Sequence, residues 1–296
     1  MRETPTTRRY SGCGLRYSTS AGRFEASQSR FLQDHLAGFS PRLMFWLCHH
    51  GDTMQIDIPK AVETGHQMHS DAQVVDSVIR SRKAVRVFRP DAVPQKDIIE
   101  ILDVARAAPS NSNMQPWRVH VLRGRSKESL SEALVRAHVA DLHPPLQHVP
   151  DPMPEAYRPM QEEFGARYYG ALGIDKADVA GRAGATGRNF GFFGAPVGLI
   201  FTIDARLKKH SWLDYGLFLQ TVMLAARARG LDTCPQVSFA RYQTIIAEHL
   251  SLEPGVDVVC GMSLGYADPD SVVNRLAIPR EAVEKFATFV GFDEEA

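Results

Sequence analysis

The stretch Ala107-Ala108-Pro109-Ser110-Asn111-Ser112-Asn113-Met114-Gln115-Pro116-Trp117 constrains this chain more than any other. Before it, from Pro94 to Ala108, the apolar residues Ile98, Ile99, Leu102 and Ala105 recur at helical spacing, and after it Val119-His120-Val121-Leu122 reads as a short strand. Pro109 stops the helix, because its ring clashes with the preceding turn and it has no N–H to donate. A helix must therefore become a strand within a few residues that carry two hydroxyls, three amides and an indole. An ordinary turn with Asx-type self-bonding accounts for the stretch taken alone. A ligand cradle accounts for it only if other segments join it.

Bulk properties narrow the field. Lys plus Arg total 34 and so do Asp plus Glu, so overall charge gives no reason to expect nucleic acid or an anionic membrane as partner. Any anion site must be local. The four cysteines, Cys13, Cys48, Cys234 and Cys260, are widely spaced with no C-x-x-C pair, which predicts a reducing, cytoplasmic setting and neither a disulfide scaffold nor a metal site. No apolar run approaches the roughly 18 residues of a membrane span. At 44% hydrophobic and 23% charged residues, the chain is expected to fold around a sizeable core.

Residues 1–70 read as a poorly structured N-terminal extension. Arg2, Arg8, Arg9, Arg16, Arg23 and Arg30 are scattered among Ser, Thr and Gly, as in a tail or a transit peptide, and a start at Met54 would make the upstream residues an artefact. The domain proper is expected over 71–296. A short amphipathic helix, with Val74, Val75, Val78 and Ile79, leads into Arg82-Lys83-Ala84-Val85-Arg86-Val87-Phe88, where cations alternate with apolar residues. Such a run is usually a solvated face. Here the interleaving predicts a partly buried extended segment whose arginines need an anion.

Residues 124–190 look less regular, with a Pro-rich loop or lid at 142–159. Val197 to Ile203 reads as a central strand, and Trp212 to Ala228 as a helix apolar nearly all round, closed by Gly230. A polar-dotted turn, Cys234-Pro235-Gln236-Val237-Ser238, precedes a short helix near Tyr242–Leu250, the strand Val256–Leu264 and a last helix near Arg280–Phe289.

Three motifs can be discounted. Gly261-Met262-Ser263-Leu264-Gly265 matches the nucleophile elbow of α/β-hydrolases, but no His follows His249 to complete a triad in that chain order. Gly181, Gly184 and Gly187 lack a preceding strand and a following Lys, so they suit a flexible linker better than a phosphate loop. His138, His143 and His148 are spaced by five, which puts them on no common helical face for a metal. Asp214 is expected to be a hydrogen-bonding or helix-start residue in place of a base.

What remains is a basic segment at 82–86, an amide-rich turn at 109–117, a Pro-Gln turn at 235–238 and a basic segment ending at Arg280. Together they suit a ligand with a phosphate at one end and a planar heteroaromatic ring at the other. A flavin mononucleotide meets that description better than other nucleotides.

Over roughly residues 70 to 292 the chain resembles the nitroreductase family of FMN-dependent oxidoreductases. The carrying residues are Arg82 to Phe88, Ala108 to Trp117, Gly194-Ala195-Pro196-Val197, Trp212-Leu213-Asp214-Tyr215-Gly216, Gly230 to Gln236, and Gly265-Tyr266-Ala267-Asp268-Pro269 with Asn274-Arg275. The block from Trp212 to Gln236 is similar to the subgroup that contains nitrobenzoate reductases. The resemblance implies an α+β fold, a mixed sheet flanked by helices in an intertwined homodimer, with FMN at the subunit interface. It implies that Arg82 and Arg86, with neighbouring Lys83 and Ala84, hold the phosphate together with Arg280 or Arg275. Pro109, Ser110, Asn111 and Asn113 would line the ring, and Pro235, Gln236, Val237 and Ser238 would offer backbone donors near N5. The family often has Ser at the position of Ala84, so one hydroxyl contact is missing here. The implied reaction is ping-pong hydride transfer from NADH or NADPH through the flavin to a nitroaromatic or quinone-like acceptor, with no catalytic side chain of the protein's own. Dehalogenation, flavin breakdown and a non-catalytic FMN sensor or store are the alternatives on the same scaffold.

Overall fold

Residues 67–140, 150 and 152–292 are described by the computed structural model. The N-terminal extension therefore lies outside the described residues except for 67–70, as do His143, His148 and half of the Pro-rich lid, residues 142–149 and 151. Residues 67–70 begin helix α1 (Gln67–Ser81), a turn earlier than the boundary expected at 71.

The centre is a four-stranded sheet of order β1-β2-β4-β3, comprising β1 (Arg118–Arg123), β2 (Val197–Asp204), β3 (Asp232–Gln236) and β4 (Val256–Gly265). All three pairings are antiparallel. The parallel component expected of a mixed sheet is reduced to a single bridge, Ala84 with Thr233.

Both faces of the sheet are covered, which is why β2 is apolar along nearly its whole length. On one face, Leu199, Phe201 and Ile203 pack with Ile101 and Ala105 of α2 (Gln95–Ala105) and with Phe218 and Val222. On the other, Ile200 and Val258 meet Leu130 and Leu134 of α3 (Gly124–Val139) and the rings of Phe190, Phe192 and Phe239. In α2 the inward positions are Ile98, Ile101 and Ala105; Ile99, counted on the apolar face from spacing, is 57% exposed.

The irregular region expected at 124–190 is mainly helical: α3, then α4 (Arg158–Ala171) and α5 (Val179–Gly187). In α3, Leu130, Leu134 and Ala137 recur at i, i+4 and i+7 and are buried, a stripe outweighed in the sequence by its polar neighbours. The Gly181–Gly187 linker is helix α5. Each glycine there costs about 1 kcal/mol against alanine. Offsetting this, Asp178 Oδ1 accepts from Gly181 N at 2.8 Å as an N-cap, and Ala185 is buried.

Helix α6 (Lys209–Ala228) starts before Trp212 and is not buried all round. Asp214, Tyr215, Phe218 and Val222 face the core, while Leu213 and Leu217 are exposed. Gly230, at φ +74°, ends it in the left-handed region, as expected. After α7 (Gln243–Leu250) and β4, the expected C-terminal helix shrinks to one turn, α8 (Val283–Phe286), with extended backbone at Ala282 and Ala287 on either side. Phe286 and Phe289 remain exposed, so no buried face extends that helix.

The Gly261–Gly265 motif is no elbow. It lies wholly within β4, and Ser263 Oγ is buried at 2.8 Å from both Phe192 O and Gln236 Oε1. A Cβ on Gly261 would come within 2.7 Å of the Phe239 ring, so packing explains the glycine.

Candidate functional site

The basic segment is extended, as its alternation predicts. Val85 N donates to Thr233 O at 3.0 Å, and Val85 is fully buried while Lys83 is exposed. Asn274, itself buried, clamps the segment: Arg86 N donates to its Oδ1 at 3.0 Å, and its Nδ2 donates to Val87 O and Asp268 O. Arg82, Lys83, Ala84 and Arg86 thereby come to line one cavity of about 760 Å³ with Asn274 and Arg280. No described carboxylate pairs with Arg82, Arg86 or Arg280. Burial, followed by the charge of Arg280, draws Arg82 below the usual guanidinium value. Arg280 spends its Nη1 on the carbonyls of Ile278 and Pro279. Guanidiniums without a described carboxylate partner on one cavity could hold an anion.

Arg275 does not join them. Its Nη1 donates to Pro269 O at 3.3 Å, its side chain is exposed, and it is absent from the cavity wall.

Helix α4 overlies the cavity. The Arg86 guanidinium lies 5.2 Å from the Phe164 ring centroid and 5.0 Å from that of Tyr168. Burial pushes the Tyr168 hydroxyl up, against the opposing pull of Arg86 and Arg188.

Pro235 and Gln236, expected in a turn, instead end strand β3, which bridges to the basic segment at Thr233, and the turn begins at Val237. Pro235 and Val237 are exposed, whereas Gln236 is buried and donates through Nε2 to Asn189 O at 2.7 Å. The hydroxyls of Thr233 and Ser238 are buried without partners, two of four such groups among the described residues. Unpaired hydroxyls on this edge suit a polar ligand. Burial pushes the neighbouring Cys234 thiol up to about 11, against Arg86 and Arg82, so it is held as the neutral thiol.

The amide-rich turn is a strained 3-10 turn at Asn111–Asn113, with Ser112, Asn113 and Gln115 all in the left-handed region at φ 51°, 55° and 48°. Trp117 holds it to the core by stacking on Phe218, centroids 4.5 Å apart and planes 3° apart. Asp214, buried in α6, accepts from Asn111 N at 3.1 Å, which gives that carboxylate its role. Gln115 N donates to Ser110 Oγ, and Gln115 Nε2 donates to Asn113 Oδ1. Pro109, Asn111 and Asn113 are exposed, with Ser110 half-buried.

Within one chain the turn and the cation cavity are apart. Asp214 ties the turn to the N-terminal part of α6; Arg227, whose Nε donates to Ser81 Oγ, ties the start of the basic segment to its C-terminal end. The cavity wall reaches along that helix to Gln220, six residues or about 9 Å from Asp214. None of Pro109, Ser110, Asn111, Asn113 or Pro235–Ser238 lines the cation cavity.

Sequence reasoning missed Asn274, Phe164 and Tyr168. Asn274 stood inside the Asn274-Arg275 motif; nothing in the spacing marked the other two. Among the described residues, no group of three or more His, Cys, Asp or Glu is placed to hold a metal ion, and no helix is long and apolar enough to cross a membrane.

Comparison with known proteins follows this geometry. The nitroreductase family profile matches residues 79–266. The chain is 58% identical over 218 residues to a 4-nitrobenzoate reductase of Pseudomonas putida, spanning 74% of this chain and 96% of that protein. It is 42% identical over 219 residues to a chloronitrobenzene nitroreductase of Comamonas testosteroni, spanning 73% and 96%. Among solved structures, the FMN-dependent nitroreductase NfnB of Mycobacterium smegmatis in complex with NADPH superposes with a TM-score of 0.71 at 33% identity, covering 74% of this chain and 99% of that one. The chain belongs to the nitroreductase family.

Proposed function

We propose that the protein is an FMN-dependent oxidoreductase that uses NADH or NADPH to reduce a nitroaromatic acceptor of the 4-nitrobenzoate type, with quinone-like acceptors as a second class. The observation that carries this reading is the set of guanidiniums of Arg82, Arg86 and Arg280 on one cavity, without a carboxylate among the described residues to neutralise them. They would hold the FMN phosphate. Thr233 and Ser238, with their unpaired hydroxyls, and the backbone of Gln236 and Val237 would face the polar edge of the ring. Bound there, FMN supplies two-electron redox chemistry at its ring, so the protein needs no acid–base constellation of its own.

A homodimer completes the site in this reading. Leu213 and Leu217 leave an apolar stripe on α6, and Val74 and Val75 of α1 are 63% and 55% exposed. Two copies packed through this face, about a two-fold axis perpendicular to α6, run their helices antiparallel. The turn at the N-terminal part of one α6 then comes beside the cation cavity of its partner. Pro109, Ser110, Asn111 and Asn113 would thus line a ring whose phosphate is held by the other copy. A cytoplasmic location is part of the proposal, consistent with Cys234 and Cys260 being free thiols.

The test is a visible spectrum of the purified protein reconstituted with FMN. A retained flavin band, bleached by NADH or NADPH and restored anaerobically by 4-nitrobenzoate, supports the assignment. Absence of a retained flavin band refutes the cofactor. Bleaching that no acceptor reverses points instead to a flavin store.

A further inference from the structure

Helix α4 carries an aromatic ring that the phosphate site does not use. Phe164 lines the cation cavity, and its half-buried ring also belongs to the wall of a second cavity, of about 700 Å³, between α4 and α5. Tyr169 and Arg182 line that second cavity. The Arg182 guanidinium sits over the Tyr169 ring, 3.9 Å from its centroid, and both side chains are half-buried. No described carboxylate pairs with Arg182, so the ring is what holds it. A run of rings joins the two cavities. The Arg86 guanidinium lies 5.0 Å from the Tyr168 ring centroid, and Tyr168 meets Tyr169 edge-on at 5.2 Å. The rest of the wall is mixed in charge: Lys176 is a cation, while Glu162 and Asp175 are acids, Asp175 Oδ1 already accepting from Ala177 N at 2.8 Å.

A guanidinium stacked on a phenol ring offers a flat cationic surface with N–H donors at its rim. Such a platform takes a nucleobase by stacking and a phosphate by its edge. Carboxylates beside it suit ribose hydroxyls. A wall that combines stacking, cationic and acidic groups fits a simple anion poorly and an adenosine phosphate well. We propose that the α4–α5 cavity binds the adenosine end of the nicotinamide donor, with Arg182 on Tyr169 as the platform for the base. The inference rests on the nitroreductase reading and deepens it. The ring of NADH or NADPH that gives up hydride must reach the flavin, and two riboses and a pyrophosphate separate that ring from adenine. An extended dinucleotide passing Phe164 engages both cavities at once.

The test compares the better of NADH and NADPH with reduced nicotinamide mononucleotide, which keeps the hydride-donating ring and its ribose phosphate but lacks the adenosine end. The readout is the second-order rate of flavin bleaching in the FMN-loaded protein without oxygen. In the Arg182→Gln holoenzyme the rate with the dinucleotide should fall about tenfold, the worth of one stacked base, while the rate with the mononucleotide stays unchanged. AMP should slow bleaching of the wild-type holoenzyme by the dinucleotide, and about tenfold more AMP should be needed in the variant. Equal losses for the two donors would mean a structural role for Arg182 and overturn the proposal. So would an unchanged rate with the dinucleotide, or AMP inhibition that is absent or the same in both proteins. A wild-type holoenzyme that neither donor bleaches overturns the nitroreductase reading instead.

Discussion

The basic segment and the amide-rich turn are both short and rich in polar side chains, yet one lines a cavity with other cations and the other faces solvent. The basic segment lies against β3 and is clamped by Asn274, so Arg82 and Arg86 converge with Arg280 on one cavity. The amide-rich turn is anchored just as firmly, by Trp117 on Phe218 and by Asp214, but it presents Pro109, Asn111 and Asn113 to solvent. Anchoring and completion are separate properties. In the proposed homodimer, the turn is held rigidly by its own chain and meets a ligand whose phosphate is held by the partner.

The largest expected effect tests the anchoring of the turn. Trp117→Ala removes a buried indole and should cost about 3–5 kcal/mol of stability, measured by urea unfolding. A cost below about 1 kcal/mol would be far under that range and would mean that the stack is incidental. Next, on the cation side, Arg82→Ala and Arg280→Ala should each weaken FMN binding by about 1.5–3 kcal/mol, read by quenching of flavin fluorescence. Arg275→Ala should change it by less than about 0.5 kcal/mol, as for a surface substitution. Equal effects at Arg275 and Arg280 would break the assignment of the cavity.

Asp214→Ala should cost about 1–3 kcal/mol by leaving Asn111 N–H unpaired, with a loss of FMN affinity that accompanies the displaced turn. Stability lost without any loss of FMN affinity would show that the turn plays no part in the site. The smallest effect is a gain. Ala84 lines the cation cavity, so Ala84→Ser should tighten FMN binding by about 0.5–1.5 kcal/mol. A titration showing no change would place Ala84 away from the ligand.

The legibility of the sequence follows the same division. Local signals were readable: the apolar run of β2, Gly230 closing α6, and the alternation that makes 82–88 extended; α2, expected to run to Pro109, ends earlier, at Ala105. Signals that depend on packing were not. The helical stripe of α3 is diluted by polar residues, and the glycines of α5 read as a linker because the Asp178 cap and the buried Ala185 act only in three dimensions. The all-round apolar pattern of α6 identified its burial but not which side faces outward. In the site, cations announced themselves by type, whereas Asn274 matters through where the fold puts it. The resemblance to nitroreductases supplied the order in which the segments belong together, which no single spacing could.

The shared site is tested most directly by mixing two defective chains. Arg82→Ala/Arg280→Ala removes the cations, and Ser110→Trp places an indole where the ring would lie against the turn. Each variant alone should retain no FMN. If one protomer supplies the cations and its partner the turn, a heterodimer of the two variants contains one intact site and should retain one FMN per two chains. If the site lies within a single chain, both sites of the heterodimer are broken, and a colourless mixed dimer would contradict the account.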